Sequence, residues 1–242
     1  EVLSTEKKYV ELLKIFVENI VVPAMAQASV LSLPVAELKT VFGNIQQIQS
    51  WHSHFLASLE RAHPDPDNMV RCFAAFSAPV ALQEDAQTIS PAATAANNPE
   101  HGVAQHQQTA ETLYKAYVNR YSMGVEAAKQ LCTNRKFETF LKRLQEPMFC
   151  GLGLFDFLIM PIQRIPRYKL LLEEVQKHSA NCTEQASRDL ATSLTIVSEL
   201  GALVNESRRQ VDDLLKIHEL QQRIIGFDLA KTSRVFLKEG VL

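Results

Sequence analysis

Residues 184–224 set the first limit on what this chain can fold into. Leu190, Leu194, Val197, Val204, Val211 and Leu215 keep a seven-residue rhythm over many turns, the spacing of one face of a helix. At 1.5 Å per residue such a helix spans roughly 60 Å, and Gly226 is its expected stop. A rod that long needs neighbours running beside it. The chain therefore reads as an elongated helical bundle, with short joins implying mostly antiparallel neighbours.

The rest of the chain agrees. Glycine is scarce, eight residues in 242, and turn dipeptides at strand spacing are absent. Residues 1–22 read as a helix with Leu3, Val10, Leu13, Val17 and Ile20 on one stripe, Ser4 or an upstream residue as cap, and Pro23 as its end. Residues 35–62 read as one helix carrying Leu38, Phe42, Ile45, Ile48, Phe55 and Leu59, stopped by the run from His63 to Asp67. Residues 68–85 read as a short helix or loop. Residues 86–105, rich in Ala, Gln, Asn and Pro, read as a surface insertion. Helices follow at 106–131 and 136–145. Residues 152–178 form a strongly apolar helix that Pro161 and Pro166 should interrupt and bend. After Gly226 the texture changes, and Arg234–Leu242 is rich in β-formers, as the first strand of a second domain would be. The fold class expected is all-α, with a long C-terminal helix.

Composition removes several classes of function. The formal net charge is −2, whereas nucleic-acid binders usually carry a basic excess. No run of about 18 apolar residues predicts a transmembrane helix. Cys72, Cys132, Cys150 and Cys182 are far apart and read as free thiols in a reducing compartment. His52 and His54 are two apart and diverge on a helix, so they predict no metal site. No cofactor is implied. Phosphate-loop, dinucleotide, zinc-protease and serine-hydrolase motifs are all missing. The chain begins at Glu1 rather than Met and reads as a piece of a longer protein.

What remains are polar residues placed where an apolar helix face should continue. Glu6 falls on a step of the first stripe. It is either a carboxylate favoured at a helix N-terminus or one that accepts hydrogen bonds from a partner's backbone at the end of a groove. Ile159, Gln163 and Arg167 are four apart and share a helix face. One apolar group, one amide and one guanidinium suit a protein interface. Alternatively, Arg164 and Arg167 pair with Glu173 or Glu174, or are solvated. Asn205 lies beside the stripe of the long helix, as a surface amide or a contact. The remaining histidines predict packed or solvated roles.

These residues resemble a known family. Pro161-Ile162-Gln163-Arg164-Ile165-Pro166-Arg167-Tyr168-Lys169-Leu170-Leu171-Leu172-Glu173-Glu174 is similar to the most characteristic segment of Dbl-homology domains, the exchange modules of Rho-family GTPases. Ser4-Thr5-Glu6-Lys7-Lys8-Tyr9-Val10 resembles the family's first signature. Val41-Phe42-Gly43-Asn44-Ile45 resembles the second, and Tyr117-Val118-Asn119-Arg120-Tyr121 fits the middle helix. The resemblance implies a Dbl-homology domain over residues 1–225, with the insertion at about 86–105. It also implies a linker and the first strand of a pleckstrin-homology domain over 226–242.

It further implies a guanine-nucleotide exchange factor that makes and breaks no covalent bond. Glu6 would hold switch I of the GTPase, and Arg167 and Asn205 would engage switch II. Gln163 would lie on the same surface, and Ile159 would meet a side chain that varies among the GTPases. Family members often carry Lys where this chain has Arg167, which keeps the charge and changes the geometry. The implied partner is a Rho-family GTPase, Rac-like in preference, with Mg²⁺ and GDP expelled from it. No nucleic acid is implied, and a membrane would be met only through the following domain. The implied location is the cytoplasm, with recruitment to membrane or cortical actin. The competing expectation is a non-catalytic helical scaffold.

Overall fold

The computed structural model describes residues 1–76, 109–178 and 183–223. The insertion at 86–105, Gly226 and the β-rich end at 226–242 lie outside these residues. Among the described residues no strand occurs, and the all-α expectation holds.

The long helix is α10 (Glu184–Arg223). Its buried face runs Ala186, Leu190, Ser193, Val197, Leu200 and Val204, the 3–4 spacing of one helical stripe. α10 packs along α9 (Leu154–His178) and α7 (Ala110–Cys132). α1 (Val2–Phe16) lies against α5 (Ile45–Ala62), and α4 (Val35–Phe42) lies on α7. Short helices fill the ends: α2 (Val22–Ala26), α3 (Ala28–Leu31), α6 (Pro66–Cys72) and α8 (Arg135–Leu141). α6, α7 and α8 start on Asp65, Thr109 and Asn134, whose side chains accept from free backbone N–H groups of the first turn, as N-caps do. The core is aromatic. Phe16 stacks on Phe157 at 4.5 Å, and Trp51, Phe55, Phe73, Phe76 and Tyr168 form one cluster of edge-to-face and stacked rings.

Three local expectations need correction. Pro23 does not end the first helix. The chain passes from α1 through a π-helical turn, Val17–Val21, into α2. Pro23 has no N–H, and in a regular helix its ring would press on the Asn19 carbonyl; the wider turn just before it opens that space. Of the two caps expected for α1, the upstream residue holds: Glu1 stands at the N-cap position, without a side-chain cap hydrogen bond, whereas Ser4 lies inside the helix and its hydroxyl donates to the Glu1 carbonyl. Residues 35–62 are two helices, because Gly43 adopts φ 53°, ψ −132°, a backbone conformation that favours glycine. Asn44 then donates to the Leu113 carbonyl of α7. Finally, α9 stays helical through Pro161 and Pro166. Residues 147–177, which contain most of α9, are long and apolar enough to cross a membrane by length and composition. However, Phe157, Leu158, Ile165, Tyr168 and Leu172 of this helix lie in the bundle core.

Two glycines separate packing from propensity. A Cβ on Gly124 of α7 would stand 3.0 Å from the Thr40 carbonyl oxygen and 3.2 Å from that of Val41, both backbone atoms of α4. A Cβ on Gly201 of α10 would meet nothing within 4 Å. Gly124→Ala should therefore lower stability by about 1–2 kcal/mol despite its helix-propensity gain. Gly201→Ala should raise it by up to about 1 kcal/mol. Urea denaturation of both variants checks the pair, and the same sign for both would contradict the packing described.

Candidate functional site

Glu6 occupies the buried side of α1. The buried residues there are Val2, Glu6, Tyr9, Val10, Leu13 and Phe16, so the carboxylate falls in mid-stripe. It is 0% exposed. The expectation of a carboxylate open to a partner is corrected: both oxygens are held inside the protein. Oε1 accepts from His52 Nδ1 of α5 at 2.7 Å. Oε2 accepts from the Tyr168 hydroxyl and from Arg164 Nη2, both on α9 and both at 2.5 Å.

A carboxylate can only accept, so Nδ1 of His52 carries the proton. Nε2 then accepts from the Tyr114 hydroxyl of α7 at 2.8 Å. Tyr114 has spent its proton, so Tyr9 donates to Tyr114 at 3.4 Å. The protons run in one direction: Tyr9 to Tyr114 to His52 to Glu6. The Arg164 guanidinium lies 4.4 Å from the Tyr168 ring centre and 5.0 Å from that of Tyr9, where ring faces attract a cation. Arg164 thus pairs with Glu6 across the bundle and not with Glu173 or Glu174, less than about three helical turns along α9. Those two pair with Lys169 and Lys177.

The charges follow from this geometry. Burial pushes the Glu6 carboxyl upward, but His52, Arg164 and the Tyr168 hydroxyl outweigh it and hold it below the usual carboxylate value. Burial pushes His52 down, against the pull of Glu6, so His52 is neutral at pH 7. Burial raises the hydroxyls of Tyr9, Tyr114 and Tyr168, which all stay protonated.

Above this network lies the outer face of α9. Gln163 and Arg167 are exposed, and Ile159 is half-buried against the core. Phe155 and Leu170 extend the face, 41% and 66% exposed. Among the described residues Gln163 and Arg167 make no hydrogen bond or ion pair. Asn205 is exposed on the neighbouring α10, and no hydrogen bond joins it to the others. Glu6, Gln163 and Arg167 thus converge on α9, Glu6 from beneath and the other two from outside. Among the described residues no cluster of His, Cys, Asp and Glu could hold a metal ion.

Residues 1–205 match the RhoGEF domain family. The chain belongs to that family. The RhoGEF domain described here is 32% identical over 132 residues to "Guanine exchange factor for Rac 30" of Dictyostelium discoideum, covering 54% of this chain and 8% of that protein. It is 25% identical over 228 residues to "Pleckstrin homology domain-containing family G member 2" of Homo sapiens, covering 94% of this chain and 14% of that protein. The chain therefore spans a small part of these relatives. Its fold is similar to part of the DH/PH domain of human ARHGEF11, solved in a ternary complex with human RhoA and its inhibitor. The TM-score there is 0.65 at 18% identity, over 92% of this chain and 55% of that one.

His52, Tyr114, Arg164 and Tyr168 are the site residues that sequence reasoning missed. The signal for His52 was present: the apolar steps Ile48 and Phe55 of α5 leave a gap that His52 fills, just as Glu6 fills one in α1.

Removing one partner of a buried ion pair costs about 3–5 kcal/mol, so Glu6→Gln should destabilise the RhoGEF domain by that order at pH 7. The folded pKa of Glu6 lies below its ordinary value of 4.5. Its stabilising contribution is therefore complete above about pH 4.5 and is lost as pH falls through the depressed folded value. Urea midpoints of wild type and variant should converge below that pH. A constant gap down to strongly acid pH, or no gap at neutral pH, would contradict the assignment.

Proposed function

We propose that this RhoGEF domain is a guanine-nucleotide exchange factor for a Rho-family GTPase. One observation carries the reading. α9 offers Gln163 and Arg167, exposed and without a partner among the described residues, beside the half-buried Ile159, while the same helix is anchored from beneath by a fully buried ion pair. A surface of that kind can bind a partner without reshaping itself.

Exchange needs no covalent step. A GTPase holding nucleotide at picomolar affinity has about 16 kcal/mol of binding free energy. A protein that prefers the nucleotide-free form weakens nucleotide binding by the same factor as nucleotide weakens its own. In this reading Arg167 and Asn205 engage switch II, and Gln163 adds an amide on the same surface. Mg²⁺ and GDP leave as the switch regions are drawn onto α9 and α10. Switch I is met at the end of α1. Glu6 itself is held by three internal donors, so its contribution is to fix α9 from below. Ile159 packs on a variable side chain of the GTPase and sets partial selectivity. A Rac-like partner is favoured, in keeping with the Dictyostelium relative named for Rac. The fold-mate bound to RhoA supports the wider Rho class.

The test is release of fluorescent nucleotide from a panel of Rho-family GTPases. The domain should accelerate release from at least one. Arg167→Ala should slow it by about ten-fold or more, on the order of 1.4 kcal/mol of transition-state stabilisation, with an unchanged melting temperature because Arg167 is exposed. Ile159→Ala should cost about 1–3 kcal/mol on the preferred GTPase and less on the others. Tight binding without acceleration would favour a scaffold. An equal effect of Ile159→Ala on every GTPase would remove its selectivity role.

A further inference from the structure

The polar network under α9 contains a group that the exchange surface does not use directly. His52 lies on α5, is fully buried, and touches three other helices through polar atoms: α1 at Glu6, α7 at Tyr114 and α9 at Tyr168. Its ring is stacked parallel to Tyr168 at 6.1 Å and meets Tyr9 edge-on at 4.9 Å. Every ordinary packing need at this position could be met by an apolar residue, as Ile48 and Phe55 show one turn either side. A buried imidazole costs desolvation that it must recover in hydrogen bonds.

From this we infer that His52 is a positioning residue for nucleotide exchange. It holds the Glu6 carboxylate in the one orientation that anchors Arg164 and Tyr168, and thereby sets where α9 presents Gln163 and Arg167. The inference rests on the exchange reading above for its consequence, though not for its geometry.

The mechanism follows from counting protons. Glu6 has two oxygens. Oε2 faces α9 and takes two donors, while Oε1 faces α5 and takes one, His52 Nδ1–H. Without that third donor, Oε1 is a buried acceptor with nothing to accept, which a carboxylate relieves by rotating toward another donor. The donors within reach are those already on Oε2. Rotation then loosens the Arg164 and Tyr168 bonds, and these residues flank Arg167 in sequence. Tyr114 acts one step further out. Its hydroxyl donates to Nε2 and so keeps the ring proton on Nδ1, facing Glu6. Tyr9, donating to Tyr114, completes the relay. Every hydrogen-bonding atom of Glu6 and His52 finds a partner in this network, which fixes their geometry; Arg164 Nε is buried without one.

Three variants test this. His52→Phe keeps an aromatic ring and removes both nitrogens. His52→Asn retains a donor near the Nδ1 position. Tyr114→Phe removes one hydroxyl with little change in shape, and serves if His52→Phe fails to fold. Two readouts are taken on each folded variant: maximal exchange rate at saturating GTPase, and backbone amide hydrogen exchange over residues 159–167.

His52→Phe should lower the maximal rate by about ten-fold, since misplacement of ~1 Å can cost up to about a hundred-fold, and should speed amide exchange in 159–167. His52→Asn should recover most of both losses. Tyr114→Phe should shift both in the same direction as His52→Phe, by less. Wild-type rates and protection in His52→Phe or Tyr114→Phe would overturn the inference, as would failure of His52→Asn to recover more than His52→Phe. If wild type releases nucleotide from no GTPase, the exchange reading fails, and the amide readout alone decides whether His52 positions α9.

Discussion

The ion pair between Glu6 and Arg164 is the constraint around which this bundle is arranged. It joins residues 158 positions apart and ties the first helix to the helix that carries the candidate surface. Taking two charges out of water is expensive, and replacing such a pair by apolar residues is often neutral or stabilising. The pair is best understood through what it specifies. Apolar side chains tolerate sliding and rotation between helices, whereas a carboxylate with three donors fits one register. The aromatic cluster around it supplies the burial, and the ion pair supplies the geometry.

That division of labour explains which features were legible in the sequence. α10 begins at the expected residue and stays helical through Arg223, the last of the described residues, because forty residues of apolar rhythm leave no other period. α7 and α9 were also visible, and α9 remained one helix despite two internal prolines. The breaks were harder. Pro23 reads as a stop, but helix on both sides and a π turn before it absorb the ring. Gly43 lay inside a continuous apolar pattern, and its left-handed conformation depends on α4 turning to meet α7. The close approach at Gly124 on that same contact is likewise a property of two helices and not of either sequence alone.

The candidate site divides in the same way. Gln163 and Arg167 were placed on one exposed face by simple four-residue spacing, and they lie there. Glu6 was recognised as a misfit in an apolar stripe, but its partners come from α5 and α9, and nothing local reveals a contact across the bundle. His52 shows the same misfit in α5, filling the gap between Ile48 and Phe55, but the sequence weighs it only against His54 as a metal pair. Paired misfits on helices that pack together are the transferable signal. Charged or polar residues at core steps of two different helices are candidates for one another. The family resemblance pointed to Glu6 as important, and the geometry relocates its influence to the underside of α9.

A rigid underside is what an exchange surface needs. The energy to dislodge a tightly held nucleotide must come from a difference in affinity between two states of the partner, and a compliant surface would accommodate both. The most direct test of the account is therefore the affinity of this domain for one Rho-family GTPase in two states, measured by biolayer interferometry: stripped of nucleotide, and loaded with GDP and Mg²⁺. The stripped form should bind tighter by about a hundred-fold or more. Equal affinity for the two forms would contradict it, because a ligand that binds both states equally shifts nothing, however tightly it binds.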